Sequence, residues 1–196
     1  MKNLVLTLSI LSALAAAACA GAPAKSRAAQ YKNFAMDNNY FSCLVPAAWS
    51  LERDKDKDEE YKIYEIQLLA PKTGKAPTFI NVAYYTKDNL DFNGLKDFVD
   101  SNSKNALGET KSARENYDPV KNISLAGRKA QLLARERMVF LHPESKSDES
   151  GQLKEKLYVL PAKEGFYVLH FSAPKDSFLA NQAVFEKVAK SFKGLP

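Results

Sequence analysis

Cysteine and histidine, the residues most often recruited for metal binding and covalent catalysis, are scarce here: two of each in 196 residues. Cys19 and Cys43 do not make the evenly spaced set of a disulfide framework. His142 and His170 lie far apart with no cysteine cluster beside either, which is not the spacing of a structural zinc site. The chain has no Gly-x-Ser-x-Gly elbow, phosphate loop, dinucleotide fingerprint or paired-histidine helix. No metal and no cofactor are therefore expected, and the chain is not expected to be an enzyme. Covalent catalysis needs a nucleophile beside an orienting base. The nearest approach is Cys43 with His170, and a cysteine inside an apolar strand is ordinarily packing. An excess of one charge is missing as well. The formal net charge is +5, with Lys and Asp/Glu interleaved along most of the chain. Nucleic-acid readers concentrate basic residues on one face, so no nucleic-acid partner is expected.

What is present suits one globular domain. Hydrophobic residues make up 45% and charged residues 26%, with nine Tyr and eleven Phe, a composition that can build a real core.

The N-terminus carries an address. Met1 to Ala18 has one basic residue, Lys2, then the apolar stretch Leu4 to Leu14, then small residues. The apolar stretch is too short to span a bilayer, so residues 1–18 read as a secretory signal peptide. The tetrapeptide Ala16-Ala17-Ala18-Cys19 resembles the lipobox of bacterial lipoproteins, with Ala16 where that family prefers Leu. The resemblance implies that Cys19 is acylated and becomes the new N-terminus. The competing reading is ordinary cleavage after Ala20. Acylation would anchor the protein to a membrane without a transmembrane helix. If the source is Gram-negative, Ala20 is compatible with the periplasmic side of the outer membrane. Residues 19–30, with Gly21 to Ala29 small and polar, then form a lipidated tether, and residues 31–196 a single domain.

Within that domain, strands are expected at Tyr40–Pro46, Trp49–Arg53, Tyr61–Leu69 and Thr78–Tyr85, most simply as an antiparallel meander. Asp54 to Glu60 reads as a solvated hairpin loop. Its Asp54, Asp56, Asp58 and Glu65 sit at calcium-loop spacing, but position 6 is Glu59 instead of the required Gly. A helix follows, capped by Asp91 or Asn93, carrying Leu95, Phe98 and Val99 on one face and stopping at Gly108. After the polar connector Glu109–Pro119 come strands Val120–Leu125, Lys129–Phe140 and Leu153–Leu160. The chain closes with an apolar strand over Phe166–Phe171, a Pro174 turn and an amphipathic helix, capped by Asp176 or Ser177, through Phe185, Val188, Ala189 and Phe192. The fold class is α+β: helices packed on a largely antiparallel sheet.

FSCLVPAAW near the start, FYVLHFSAP before the last turn and VFEKVAKSF at the end together resemble the PsbP-like domains, related to the photosystem II protein PsbP and the Ran-binding Mog proteins. The resemblance implies an α/β/α sandwich that binds or stabilises a larger assembly, and it transfers no site residue. Arg135 and Arg137 share one face of their strand, Lys154 and Lys156 one face of theirs. If the two strands pair and these faces coincide, they make a cationic stripe for docking a partner. The alternative is long basic side chains covering sheet edges, with Glu136 and Glu155 mixing the charge. The expected function is a lipid-anchored cell-envelope accessory protein docking on a protein partner; the alternative is a carrier or sensor of a small apolar or lipidic ligand held between helix and sheet.

Overall fold

The structure is a computed structural model that describes residues 30–72 and 74–195. The expected signal segment, Cys19 and the tether up to residue 29 lie outside the described residues. The chain forms β1 (Tyr31–Ala35), β2 (Phe41–Pro46), β3 (Ser50–Glu52), α1 (Lys55–Tyr61), β4 (Ile63–Leu69), β5 (Phe79–Thr86), α2 (Leu95–Asn102) and β6 (Glu115–Tyr117). It continues through β7 (Lys121–Leu125), β8 (Arg128–Phe140), β9 (Ser150–Ala162), β10 (Gly165–Pro174), α3 (Phe178–Ser191) and β11 (Lys193–Gly194).

One antiparallel sheet of eight strands runs β3-β4-β5-β10-β9-β8-β6, with β7 also pairing β8; a small sheet runs β1-β2-β11. The α+β class expected from the sequence is the one observed. β10 lies at the centre of the large sheet, between β5 and β9, which is why its aromatic run is apolar on both faces. Tyr167, Leu169 and Phe171 point into the cluster under α3, where Phe185, Val188 and Ala189 are fully buried. Phe166 and Val168 point the other way, under Phe98 and Val99 of α2. The molecule is thus layered: α3 with the small sheet, then the large sheet, then α2.

Several local expectations are corrected. β2 does not belong to a meander with β3, β4 and β5; it pairs β1 in the second sheet, since its Phe41, Cys43 and Val45 complete the core from above. The charge run after Glu52 is a helix, α1. Asp54 caps it by accepting from Lys57 N–H at 3.2 Å. Asp58 is buried: one carboxylate oxygen takes Arg53 Nε–H at 2.6 Å and the other takes Glu65 N–H at 3.1 Å. Asp58 thus faces a cation and the chain, instead of converging with Asp54 and Asp56. Helix α2 ends at Asn102, short of Gly108, and neither Asp91 nor Asn93 caps it. The bond runs the other way, with Asp97 accepting from Asn93 N–H at 2.9 Å. Ser177 is the N-cap of α3, but its hydroxyl turns back to Pro174 O at 3.2 Å. The connector after Glu109 contains β6, held by β8.

Candidate functional site

The four basic residues singled out in the sequence do lie on paired strands, because β8 and β9 form one long antiparallel ladder. Their register decides the rest. Arg135 stands opposite Glu155, Ala134 opposite Lys156 and Glu136 opposite Lys154. Directly opposed residues share a face, so Arg135 and Arg137 project toward the α2 side with Glu155, whereas Lys154 and Lys156 project toward α3. The single cationic stripe is therefore corrected to two separate groups on opposite faces.

On the α3 side both lysines are engaged. Lys156 Nζ binds Glu186 at 2.6 Å, a carboxylate that also accepts from Tyr158 OH at 3.0 Å. Lys154 pairs Glu136 at 3.2 Å and lies over the Phe178 ring. These are pins between helix and sheet.

On the α2 side the arginines converge on Glu155, which in the sequence stands only as an acid mixed among the basic residues. Glu155 is fully buried. Arg135 Nε donates to its Oε2, Arg137 donates to its Oε1 through Nε at 3.2 Å and Nη2 at 3.1 Å, and Ser172 Oγ lies 3.4 Å from the same oxygen. Burial by itself pushes this carboxyl up. Neighbouring His170 and the two guanidinium groups overcome burial and hold it well below the usual carboxylate range. The direct contacts come from the arginines, with His170 Nε2 at 3.6 Å. A signal for Glu155 was present in the sequence: Leu153, Glu155 and Leu157 alternate on one face, which places the charge on an apolar side of the strand.

The cover over this face is partial. α2 and its neighbours pack on Leu133, Leu157, Val159, Phe166 and Val168. Beyond that cluster the same face carries Glu155, Ser172, His170 and, directly across from His170, Asn81. His170 sits edge-on to Phe79 at 5.4 Å. His170 Nε2 and Asn81 Oδ1 are buried atoms without a hydrogen-bond partner among the described residues. Arg135 reaches across to Asn102 Oδ1 at 3.4 Å, tying the cluster to the end of α2, while Arg137 keeps 38% of its side chain exposed.

Cys43 and His170 cannot act together. Cys43 packs in the cluster under α3, while His170 alternates with Leu169 and Phe171 and projects from the opposite face. Burial also pushes the Cys43 thiol up to about 12. The helix–sheet interfaces proposed for a ligand are filled with rings: Phe185 stacks on Tyr158 and Phe171, each at 5.3 Å, and Phe166 stacks on Tyr85 at 4.7 Å. An open cleft of about 630 Å³ lies instead at one end of the sheet, between Lys75, Leu141, Gly151 and Lys175.

No family model and no curated protein matches this chain in sequence. Solved structures resemble it in fold. Cyanobacterial PsbP (CyanoP) from Synechocystis sp. PCC 6803 superposes with a TM-score of 0.53 at 12% identity, covering 89% of this chain and 98% of that one. The fold is PsbP-like. LpqN of Mycobacterium tuberculosis, described as involved in cell envelope biogenesis, gives 0.47 at 14% identity over 87% of this chain and 93% of its own. The Saccharomyces cerevisiae Ran-binding protein Mog1p gives 0.47 at 10% identity over 85% and 96%.

Proposed function

We propose that this PsbP-like chain is an accessory protein of the cell envelope, held at a membrane through acyl chains on Cys19, whose domain docks on a protein partner. The docking surface is the part of the α2-side face beyond α2, where Arg137 is the most exposed group and His170 and Asn81 are half-buried. The observation that carries this reading is the unfinished hydrogen bonding there. A buried polar atom without a partner costs about 1–3 kcal/mol; on the directly paired residues Asn81 and His170, Asn81 Oδ1 has none and His170 Nε2 has only a long 3.6 Å approach to Glu155. Turned outward, the half-buried Asn81 and His170 side chains would find a donor and a polar group on a partner, and the exposed edge of Arg137 offers a charge-assisted bond beside them. Bond-making chemistry fits poorly, because a carboxylate held strongly acidic by two guanidinium groups has little proton affinity to serve as a base.

The test is cross-linked co-purification of the full-length tagged chain from envelopes, native against Arg137→Ala and Asn81→Ala. One stoichiometric partner, weakened about tenfold or more by either change in protein shown to be folded, is expected; Asn81→Ala leaves thermal unfolding nearly unmoved, whereas Arg137→Ala lowers it because it also removes bonds to the buried Glu155. Full retention by both variants, or a co-purifying small ligand in place of a protein, refutes the docking reading. The anchor is tested separately by labelling with a palmitate analogue: Cys19→Ser should abolish incorporation, and equal labelling of both chains refutes it.

A further inference from the structure

We infer that the outer layer formed by α3 and the β1-β2-β11 sheet is the face this protein lays against an anionic phospholipid surface. The inference rests on the lipid-anchor reading for how the domain comes to be there. It starts from an imbalance of charge. Residues 30–46 and 177–195, which build the layer, contain Lys32, Lys187, Lys190 and Lys193 against only Asp37 and Glu186. Both carboxylates are engaged: Asp37 with Arg53 and Lys55, Glu186 with Lys156. The four lysines are exposed and have no ion-pair partner among the described residues. Elsewhere on the surface pairing is common, as in Lys62 with Glu59, Lys87 with Glu164 and Lys96 with Asp100.

The layer presents these charges as one surface. The exposed positions of α3 are Leu179, Ala180, Ala183, Lys187 and Lys190, a helix face with no acid on it. Lys187 Nζ lies 5.9 Å from the centre of the Tyr31 ring in β1. Ser191 Oγ accepts from Leu44 N–H of β2 at 2.8 Å, and Lys193 pairs with Ser42, on the face of β2 opposite the buried Phe41 and Cys43. Leu179, 78% exposed, adds an apolar side chain to the same helix face. Lysines around exposed apolar and tyrosine side chains are the pattern of a surface resting at headgroup level.

Chain geometry selects the membrane as occupant. Tyr31, where the described domain begins, belongs to this layer. From an acylated Cys19 the intervening residues reach at most about 40 Å at full stretch, and roughly 20 Å as a flexible coil. That stretch contains Lys25 and Arg27 and no acid. The anchor thus delivers this layer to the bilayer and leaves the Arg137 face, across the sheet, to a partner.

The test is co-sedimentation of the mature chain, residues 19–196 carrying Cys19→Ser, so that neither acyl chains nor the apolar export segment contributes, with phosphatidylcholine vesicles and with vesicles containing phosphatidylglycerol. Binding to the anionic vesicles, weakened by salt and little seen with neutral ones, is expected. Each lysine near an anionic surface is worth about fivefold in binding, so K187Q/K190Q/K193Q should lose about 100-fold. All three are exposed, and the same change at Lys72, Lys146 and Lys175 serves as the charge-matched control. Equal binding to both vesicle types, absent binding to the anionic ones, or an equal loss in the control overturns the inference. So does a layer variant that keeps its vesicle binding but loses the protein partner. Cys19 labelling reads the anchor independently: labelling with failed vesicle binding removes this inference alone, and vesicle binding without labelling removes the anchor alone.

Discussion

Replacing Glu155 by Gln keeps the shape of the side chain and removes its charge, leaving Arg135 and Arg137 with a half-filled site. Both guanidinium groups donate to this carboxylate, and Arg135 is as well sheltered as a charged side chain commonly is, with 13% of it exposed. Hydrogen bonds to charged groups contribute about 1.5–3 kcal/mol each, and breaking one side of a buried ion pair costs about 3–5 kcal/mol. The Gln amide can still accept with one oxygen but turns its NH₂ toward a donor. A loss of about 3–5 kcal/mol is expected, which lowers the midpoint of thermal unfolding by roughly 6–20 °C for a domain of this size. Urea titration followed by tryptophan fluorescence measures it directly. The pH dependence supplies a second check. The carboxyl is held below its ordinary range in the folded chain, so the unfolded chain binds more protons there. Its stabilisation is complete above the ordinary glutamate value of about 4.3 and is lost as pH falls below it. The stability difference between native and Glu155→Gln proteins should therefore shrink as pH drops below about 5. A loss under about 1 kcal/mol at neutral pH, or a difference that does not change with acid, would show that the two arginines are not held by this charge.

Phe185→Ala empties the stack between Tyr158 and Phe171 and should cost about 3–5 kcal/mol by denaturant titration, with no change in vesicle or partner binding once refolded at low temperature. Gly165 has φ +139° and a Cβ there would meet Tyr85 O at 2.0 Å, so Gly165→Ala should destabilise by at least about 2 kcal/mol; a wild-type melting temperature refutes the tight turn. Cys43, buried and with its thiol pushed up to about 12, should resist a thiol reagent at neutral pH in the folded protein and react at once in denaturant; rapid native labelling would contradict its burial.

Where a segment's apolar pattern serves one element in one place, its structure was legible in the chain. The run from Phe166 to Phe171 reads as a doubly covered strand and is one, and the spacing of Phe185, Val188, Ala189 and Phe192 gives the buried stripe of α3. Alternation also put Arg135 with Arg137 and Lys154 with Lys156, correctly within each strand. Local pattern misled where charge density stood for exposure, as in Asp54 to Glu60. An Asp cap, i,i+3 lysine pairs with Asp54 and Glu59 and a buried Asp58 paired with Arg53 make a helix of what reads as loop. β1 was invisible because Tyr31–Ala35 has no clean alternation; it is a strand only because β2 offers it an edge.

The amino-acid sequence alone determined the class of fold and the identity of the closing strand and helix, because each is written in short-range periodicity and composition. Tertiary structure decided which faces meet. A shift of one residue in the β8–β9 register would have joined the four basic residues, and the register adopted instead sends two toward α2 around Glu155 and two toward α3. The closing of Arg135 and Arg137 on Glu155 and the placing of His170 opposite Asn81 follow from long-range packing, to which neighbours in the chain carry no signal.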